Sequence, residues 1–181
     1  MRGHKLGFTF LELIVVIAIL GILATIIVPN FRSRNPEYQR RQFIDQLNSL
    51  LQVSWQNALA TGKVQKIIFN KKNISLESAT GKKSSSNEEI YKPIQVRFLK
   101  TNLEIPDNFE IKNFYIGKKD EMTSLVGGKG KIWFYITADG MAQNVILNIV
   151  ENISENIKQE LSLVLNPFSV QFKEYDKFQK P

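Results

Sequence analysis

The chain has 181 residues, 43% of them apolar, which is enough for one compact domain and an additional element. Lys and Arg number 24 against 17 Asp and Glu. This surplus is scattered, so a solvated basic surface explains it as well as nucleic-acid binding does. The chain has no Cys and one His, His4, which excludes disulfides and thiolate chemistry and disfavours Ser triads and zinc-protease sites. We predict that the chain is not an enzyme and uses no cofactor and no metal.

Residues 8–28 form an apolar run, FTFLELIVVIAILGILATIIV, in which one residue, Glu12, is charged. As a helix this run would be about 31 Å long, which is enough to cross a bilayer. A short basic segment, residues 1–7, precedes the run, and no A-x-A-like cleavage site follows it. We therefore predict cleavage before the run, between Gly7 and Phe8, where the missing side chain of Gly leaves the backbone accessible to a peptidase.

Glu12 is unusual because an ionised group inside a membrane is unfavourable unless it has a partner. Cleavage would create an amine at Phe8, one helical turn from Glu12, and the carboxylate could pair with it within one chain. It could equally pair with the amine of a neighbouring subunit and so set the register of a filament. The alternative is that Glu12 simply lies at the headgroup level, where a carboxylate near a helix N-terminus is also favoured.

The segment KLGFTFLE, residues 5–12, followed by an apolar run ending at Pro29, resembles the class III leader of type IV prepilins and type II secretion pseudopilins. The resemblance implies that a prepilin peptidase cuts after Gly7 and N-methylates Phe8, and that Glu12 acts in assembly. It also implies a Pro at the position of Pro29, where the loss of a backbone donor predicts a helix kink.

A second, amphipathic helix is predicted over residues 37–61. Asn35 suits its N-cap and Pro36 its first position, and Gly62 is suited to end it. One stripe of this helix is expected to be buried: Phe43, Leu47, Leu50, Leu51, Ser54, Ala58 and Leu59.

The remainder of the chain reads as short β-strands separated by turn signals, which predicts antiparallel hairpins. The polar stretch at 80–89 is expected to be a loop, and Asp139-Gly140 and Asn166-Pro167 are expected to be turns. The fold class is therefore α+β, a long N-terminal helix packed on a C-terminal antiparallel sheet or sandwich. The predicted strands cover residues 64–69, 94–99, 109–116, 131–137, 144–150, 160–165 and 168–175.

The end of the second helix, residues 57–62, and a late turn from Phe134 to Gly140 are similar to features of the GspH/FimT group of minor pseudopilins and minor pilins. The two resemblances imply a cleaved leader (1–7), a transmembrane and assembly helix (8–30), an amphipathic helix (31–62) and a periplasmic β-rich domain (63–181). The chain would be a single-pass protein of the bacterial inner membrane. Its partners would be other pilins or pseudopilins, the prepilin peptidase and the assembly platform.

Three functions follow from these observations. The first is a minor pseudopilin, a structural subunit of the type II secretion pseudopilus. The second is a minor type IV pilin, with DNA uptake as one version; nucleic acid is otherwise not an expected partner. The third is an uncleaved membrane-anchored receptor or enzyme. The DNA-uptake version depends on a group of lysines expected near one end of the sheet region: Lys63, Lys66, Lys71, Lys72, Lys82 and Lys83.

Overall fold

A computed structural model describes residues 9–33, 35–94, 101–126, 130–154 and 156–181, with side chains described except at 24–33 and 126. The chain divides into two units, unit 1 (Met1–Arg41) and unit 2 (Gln42–Pro181). Its helices are α1 (Phe10–Ser33), α2 (Pro36–Thr61) and α3 (Met122–Val126). Its strands are β1 (Gln65–Asn70), β2 (Asn73–Lys83), β3 (Glu89–Pro93), β4 (Asn102–Glu104), β5 (Phe109–Ile116), β6 (Lys119–Asp120), β7 (Lys131–Ile136), β8 (Val145–Asn152), β9 (Lys158–Asn166) and β10 (Gln171–Tyr175).

Helix α2 begins and ends where its sequence predicts. The Asn35 side-chain oxygen accepts a hydrogen bond from the N–H of Glu37 at 3.0 Å, which satisfies a donor that the helix itself cannot pair. At the other end, Gly62 adopts a left-handed φ of 63°, and its N–H donates to the carbonyl of Ala58 at 2.8 Å. A residue with a side chain is unfavourable in this conformation, so Gly ends the helix.

The strands form two antiparallel sheets within the described residues. Sheet A has the order β3-β2-β1-β7, with β4 also paired to β2, and sheet B has the order β10-β9-β8-β5-β6. In β7 the inward-facing residues Ile132, Phe134 and Ile136 are buried and alternate with less buried ones, as expected for a strand with one face on the core.

The core lies between the two sheets and includes one face of α2. The ring of Phe69 in sheet A meets that of Phe114 in sheet B edge to face, with centroids 5.0 Å apart. Phe43 of α2 meets Phe109 of sheet B in the same way at 5.3 Å. The buried residues of α2 are Phe43, Ile44, Leu47, Leu50, Leu51, Ser54 and Ala58. The expected stripe is therefore buried, except that Leu59 is 48% exposed.

Side-chain amides of α2 join the helix to both sheets. The amide of Asn48 accepts from the N–H of Phe172 at 2.7 Å and donates to the carbonyl of the same residue at 3.2 Å. Asn57 donates to the buried side chain of Gln65 at 2.9 Å. The two hydrogen bonds of Asn48 satisfy the N–H and the carbonyl of Phe172 on the side of β10 that faces away from β9. At this residue the helix therefore covers a sheet edge that would otherwise be open to pairing with another chain.

The predicted α+β fold is correct, and one local prediction is wrong. The expected loop at 80–89 is mostly paired: Ala79 faces Tyr91 and Lys83 faces Glu89 across a β2–β3 hairpin, with only its turn unpaired. Asp139-Gly140 does form a turn, with the N–H of Gly140 donating to the carbonyl of Thr137 at 2.9 Å. The turn closes a short antiparallel pair in which Ile136 faces Ala142, and the chain then passes from sheet A to sheet B.

Candidate assembly segment

Helix α1 opens with a reciprocal cap formed by Thr9 and Glu12. The N–H of Glu12 donates to the Thr9 hydroxyl at 3.3 Å, and the Glu12 carboxylate accepts from the N–H of Thr9 at 3.3 Å. The N–H of Leu13 then donates to the Thr9 carbonyl at 3.2 Å. This arrangement is a capping box, in which two backbone donors at a helix start are satisfied by side chains. Glu12 therefore has a structural role within its own chain.

Between Phe10 and Leu23, the apolar side chains of α1 are exposed on every side of the helix. The large apolar residues between Phe10 and Leu23 are 45% to 81% exposed, and they include five consecutive positions, 13–17. Because successive helical residues point about 100° apart, five in a row leave no polar face. A helix that is apolar all round is one whose natural environment is protein or lipid.

The predicted site residues are only partly described by the structure. Gly7 and Phe8 lie outside the described residues, so cleavage, methylation and the pairing of Glu12 with the Phe8 amine stay predictions. Pro29 lies inside α1, which continues to Ser33, and its kink also stays a prediction. Thr9 is the residue that the sequence interpretation missed, although the spacing Thr-x-x-Glu before an apolar run was the available signal.

The lysines expected to cluster near one end of the sheet region are separated. Lys71 and Lys72 lie at the turn between β1 and β2, whereas Lys63 precedes β1 and Lys82 and Lys83 end β2. Because β1 and β2 run antiparallel, these two groups lie at opposite ends of the hairpin. The expected single cluster is therefore wrong.

Lys66 packs among aromatic rings on the outer face of sheet A. Its Nζ atom lies 5.0 Å from the ring centroid of Tyr91 and 4.5 Å from that of Trp133, distances at which an ammonium is attracted to an aromatic face. Partial burial lowers the pKa of Lys66 despite the opposing Glu77 carboxylate. A lysine held in this way is less available to phosphates than a fully solvated one.

The described residues contain neither a metal-ligand group nor a membrane-spanning helix. No group of three or more His, Cys, Asp or Glu side chains there is placed to hold a metal ion. Over the same residues, no helix is both long enough and apolar enough to cross a membrane.

Comparisons with known proteins address the N-terminus and the fold. Residues 2–28 match the family described as the prokaryotic N-terminal methylation motif. Type II secretion system core protein G of Klebsiella michiganensis is 39% identical over 49 residues, which is 27% of this chain and about a third (34%) of that protein's length. The minor pseudopilin EpsH from the type 2 secretion system of Vibrio cholerae matches in structure, with a TM-score of 0.50 and 9% identity over 81% of this chain and 99% of that chain.

The chain has a pilin-like α+β fold. The motif match concerns the N-terminal residues 2–28, and the structural match concerns the fold.

Proposed function

We propose that this chain is a minor pseudopilin, a structural and assembly subunit of a type II secretion pseudopilus. In this proposal the peptidase cuts after Gly7 and methylates Phe8. The helix that begins at Phe8 first holds the subunit in the bacterial inner membrane and later packs against other subunits, with residues 63–181 in the periplasm. The observation that carries the proposal is the combination of the motif at 2–28 with the exposure, on every side of α1, of its apolar side chains between Phe10 and Leu23.

The proposal of a minor subunit of the GspH/FimT group rests on the fold comparison and on the two short sequence features at 57–62 and 134–140. The DNA-uptake version of the pilin alternative depended on one cluster of lysines, which the β1–β2 hairpin separates. We therefore prefer protein secretion to DNA uptake.

The leader part of the proposal is tested by the mass of the N-terminal peptide of the mature protein, isolated from cells that contain the prepilin peptidase. We expect a peptide that begins at Phe8 and carries one additional methyl group. A mature protein that still begins at Met1 would show that the proposal is wrong. The matched control is a Gly7→Val variant, whose side chain obstructs the backbone at the cut, and which should retain residues 1–7.

The role of Glu12 is tested by comparing Glu12→Gln with Glu12→Ala. Gln keeps an oxygen that can accept the Thr9 N–H but has no charge, whereas Ala removes both. If a buried charge pair drives assembly, both variants should be cleaved normally and both should be lost from filaments, by about tenfold or more. Incorporation of Glu12→Gln at the level of the unchanged chain would instead show that Glu12 acts only through the cap.

A further inference from the structure

An exposed aromatic side chain stands out in unit 2. Phe168 is 74% exposed, more than any other large apolar residue described outside α1. Leu59 and Met141 are 48% and 42% exposed. We call these three side chains the Phe168 patch. Exposure of a single Phe is ordinary, but grouped apolar side chains on a soluble surface often mark an interaction site.

The three segments that carry the patch are joined at one place. A Cβ atom on Gly140 would lie 2.7 Å from Nε1 of Trp55 and 3.0 Å from Cδ2 of Leu59, so the loop before Met141 presses against α2. On the other side, the N–H of Ala142 donates to the carbonyl of Pro167 at 2.9 Å, which fixes the residue before Phe168. The segments that carry Leu59, Met141 and Phe168 are therefore neighbours in the fold.

Hydrogen bonds with two side chains hold the backbone of the turn that presents Phe168. The side-chain oxygen of Asn166 accepts from the N–H groups of Phe168 at 2.9 Å and Ser169 at 3.2 Å. Gln52 of α2 donates to the carbonyl of Ser169 at 2.8 Å. Val170, fully buried, closes the turn with a left-handed φ of 51°. A β-branched residue in this conformation is strained, and such strain persists where the surroundings impose it, frequently at functional sites.

The charge of this surface restricts its partner. In the three segments, residues 52–59, 137–142 and 166–170, the one ionisable side chain is Asp139. Hydrogen bonds from Thr137 and from the N–H of Met141 lower the pKa of Asp139, so it is a carboxylate at neutral pH. Segments that offer a carboxylate and no Lys or Arg are unsuited to phosphates, which disfavours nucleic acid and anionic lipid as the partner. A two-fold contact between two copies through these segments would present a carboxylate from each copy and no Lys or Arg to pair with it, which is also unfavourable.

We infer that the Phe168 patch is a docking site for a different pilin-like subunit of the same filament, one that offers an apolar pocket bordered by Lys or Arg. The inference rests on the proposed function. The backbone of the turn is already ordered by the contacts of Asn166 and Gln52, so docking at Phe168 requires little further ordering of the chain. The Asp139 carboxylate at the edge of the patch would then select the partner's charge.

The test places a photoreactive benzophenone side chain at position 168 of the full-length chain in its own cells. The matched control places the same group at Ile157, which is 57% exposed and lies between β8 and β9. We expect cross-linking at 168, at least about tenfold above that at 157, to a protein whose own sequence carries the N-terminal methylation motif. Mass spectrometry of the cross-linked product identifies that protein.

Variants separate a docking role from a folding role. Phe168→Ser should reduce co-isolation of the cross-linked subunit about tenfold, and Phe168→Leu should retain most of it, while both melt at the temperature of the unchanged chain. Asp139→Lys should also reduce co-isolation, because it reverses the charge at the edge of the patch.

Cross-linking at 168 only to lipid, only to a second copy of this chain, or to no protein above the Ile157 level would overturn the inference. The same benzophenone at Ile17 of α1 separates this result from failure of the proposed function. If Ile17 cross-links to pilin-like subunits and 168 does not, the inference alone is wrong. If neither position does and the N-terminus is uncut, both are wrong.

Discussion

The two units place their apolar residues in opposite ways. Between Phe10 and Leu23 the large apolar side chains of α1 are 45% to 81% exposed, whereas Phe69, Phe114 and Phe134 of unit 2 are completely buried. A side chain stabilises a fold only if folding removes it from water. Unit 2 is therefore stabilised by its own core. The apolar side chains of α1 between Phe10 and Leu23 can instead be buried by contact with another molecule.

The largest expected effect comes from removing one buried ring from unit 2. Phe134→Ala should lower the free energy of unfolding by about 3–5 kcal/mol, because it removes buried surface and leaves a cavity. Both Trp residues, Trp55 and Trp133, lie in unit 2. Denaturant unfolding of the detergent-solubilised full chain, followed by Trp fluorescence, therefore reports on this unit.

The matched variant in α1 is Ile14→Ala, at a residue that is 50% exposed. It should leave the Trp-detected transition within about 0.5 kcal/mol of the unchanged chain and should reduce incorporation into filaments. Equal destabilisation by the two variants would contradict the division into a self-stabilised unit and an exposed helix.

A smaller effect, of opposite sign in the two units, is expected when Gly is replaced by Ala. Gly140 has a φ of 84°, and a Cβ atom there would lie 2.7 Å from Trp55 Nε1, so Gly140→Ala should cost about 2–4 kcal/mol in backbone strain and overpacking. Gly21 in α1 has open space around it, so Gly21→Ala should stabilise the helix by about 0.5–1 kcal/mol.

Trp fluorescence during denaturation measures the first of these changes, and circular dichroism at 222 nm during heating measures the second. If Gly140→Ala had no effect, the close approach of Trp55 to the 139–142 loop would be wrong. If Gly21→Ala destabilised α1, the open space around Gly21 would be wrong.

The smallest expected effect is a pH dependence at Asp139. Its pKa is lowered first by the hydrogen bond from Thr137. A carboxyl group with a lowered folded pKa contributes stability above its unfolded pKa, about 3.9, and this contribution is lost as the pH falls through the folded value. As the pH falls below about 4, the free energy of unfolding of the Asp139→Asn variant should therefore decrease slightly less than that of the unchanged chain.

The direct measurement is an NMR titration of the Asp139 side chain. Its midpoint should lie below the usual Asp range, and Thr137→Val, which removes the first donor, should move the midpoint upward. A midpoint unchanged by Thr137→Val would show that Thr137 does not hold the carboxylate.

The elements that the sequence predicted well are those determined by neighbouring residues. Asn35 and Pro36 start α2, and Gly62 ends it, because caps depend on side chains within one turn of the helix. Strand β5 has the bounds expected from its apolar pattern. The fold class followed from the same local patterns together with the turn signals.

The elements that it missed depend on distant partners. Residues 80–83 have almost no apolar content, and they are a strand because their backbone pairs with β3 and the Thr80 hydroxyl donates to the carbonyl of Ile90 at 2.9 Å. The expected lysine cluster failed because proximity in sequence was taken for proximity in space across a hairpin. In the candidate site, Thr9 was missed because only the charge of Glu12 was considered. The hydrogen bonds between Glu12 and Thr9 depend instead on their three-residue spacing at the start of a helix.

The contact between Asn48 and Phe172 also affects the order in which the molecule can form. These residues are 124 positions apart, so α2 is synthesised long before the strand that its amide will satisfy. Contacts of such large separation slow folding, because a long loop must close before any bond is gained. Until β10 arrives, the outer edge of β9 remains unpaired, and this interval is when the new chain is most exposed to wrong pairing. The pairing of β10 therefore determines when sheet B is complete.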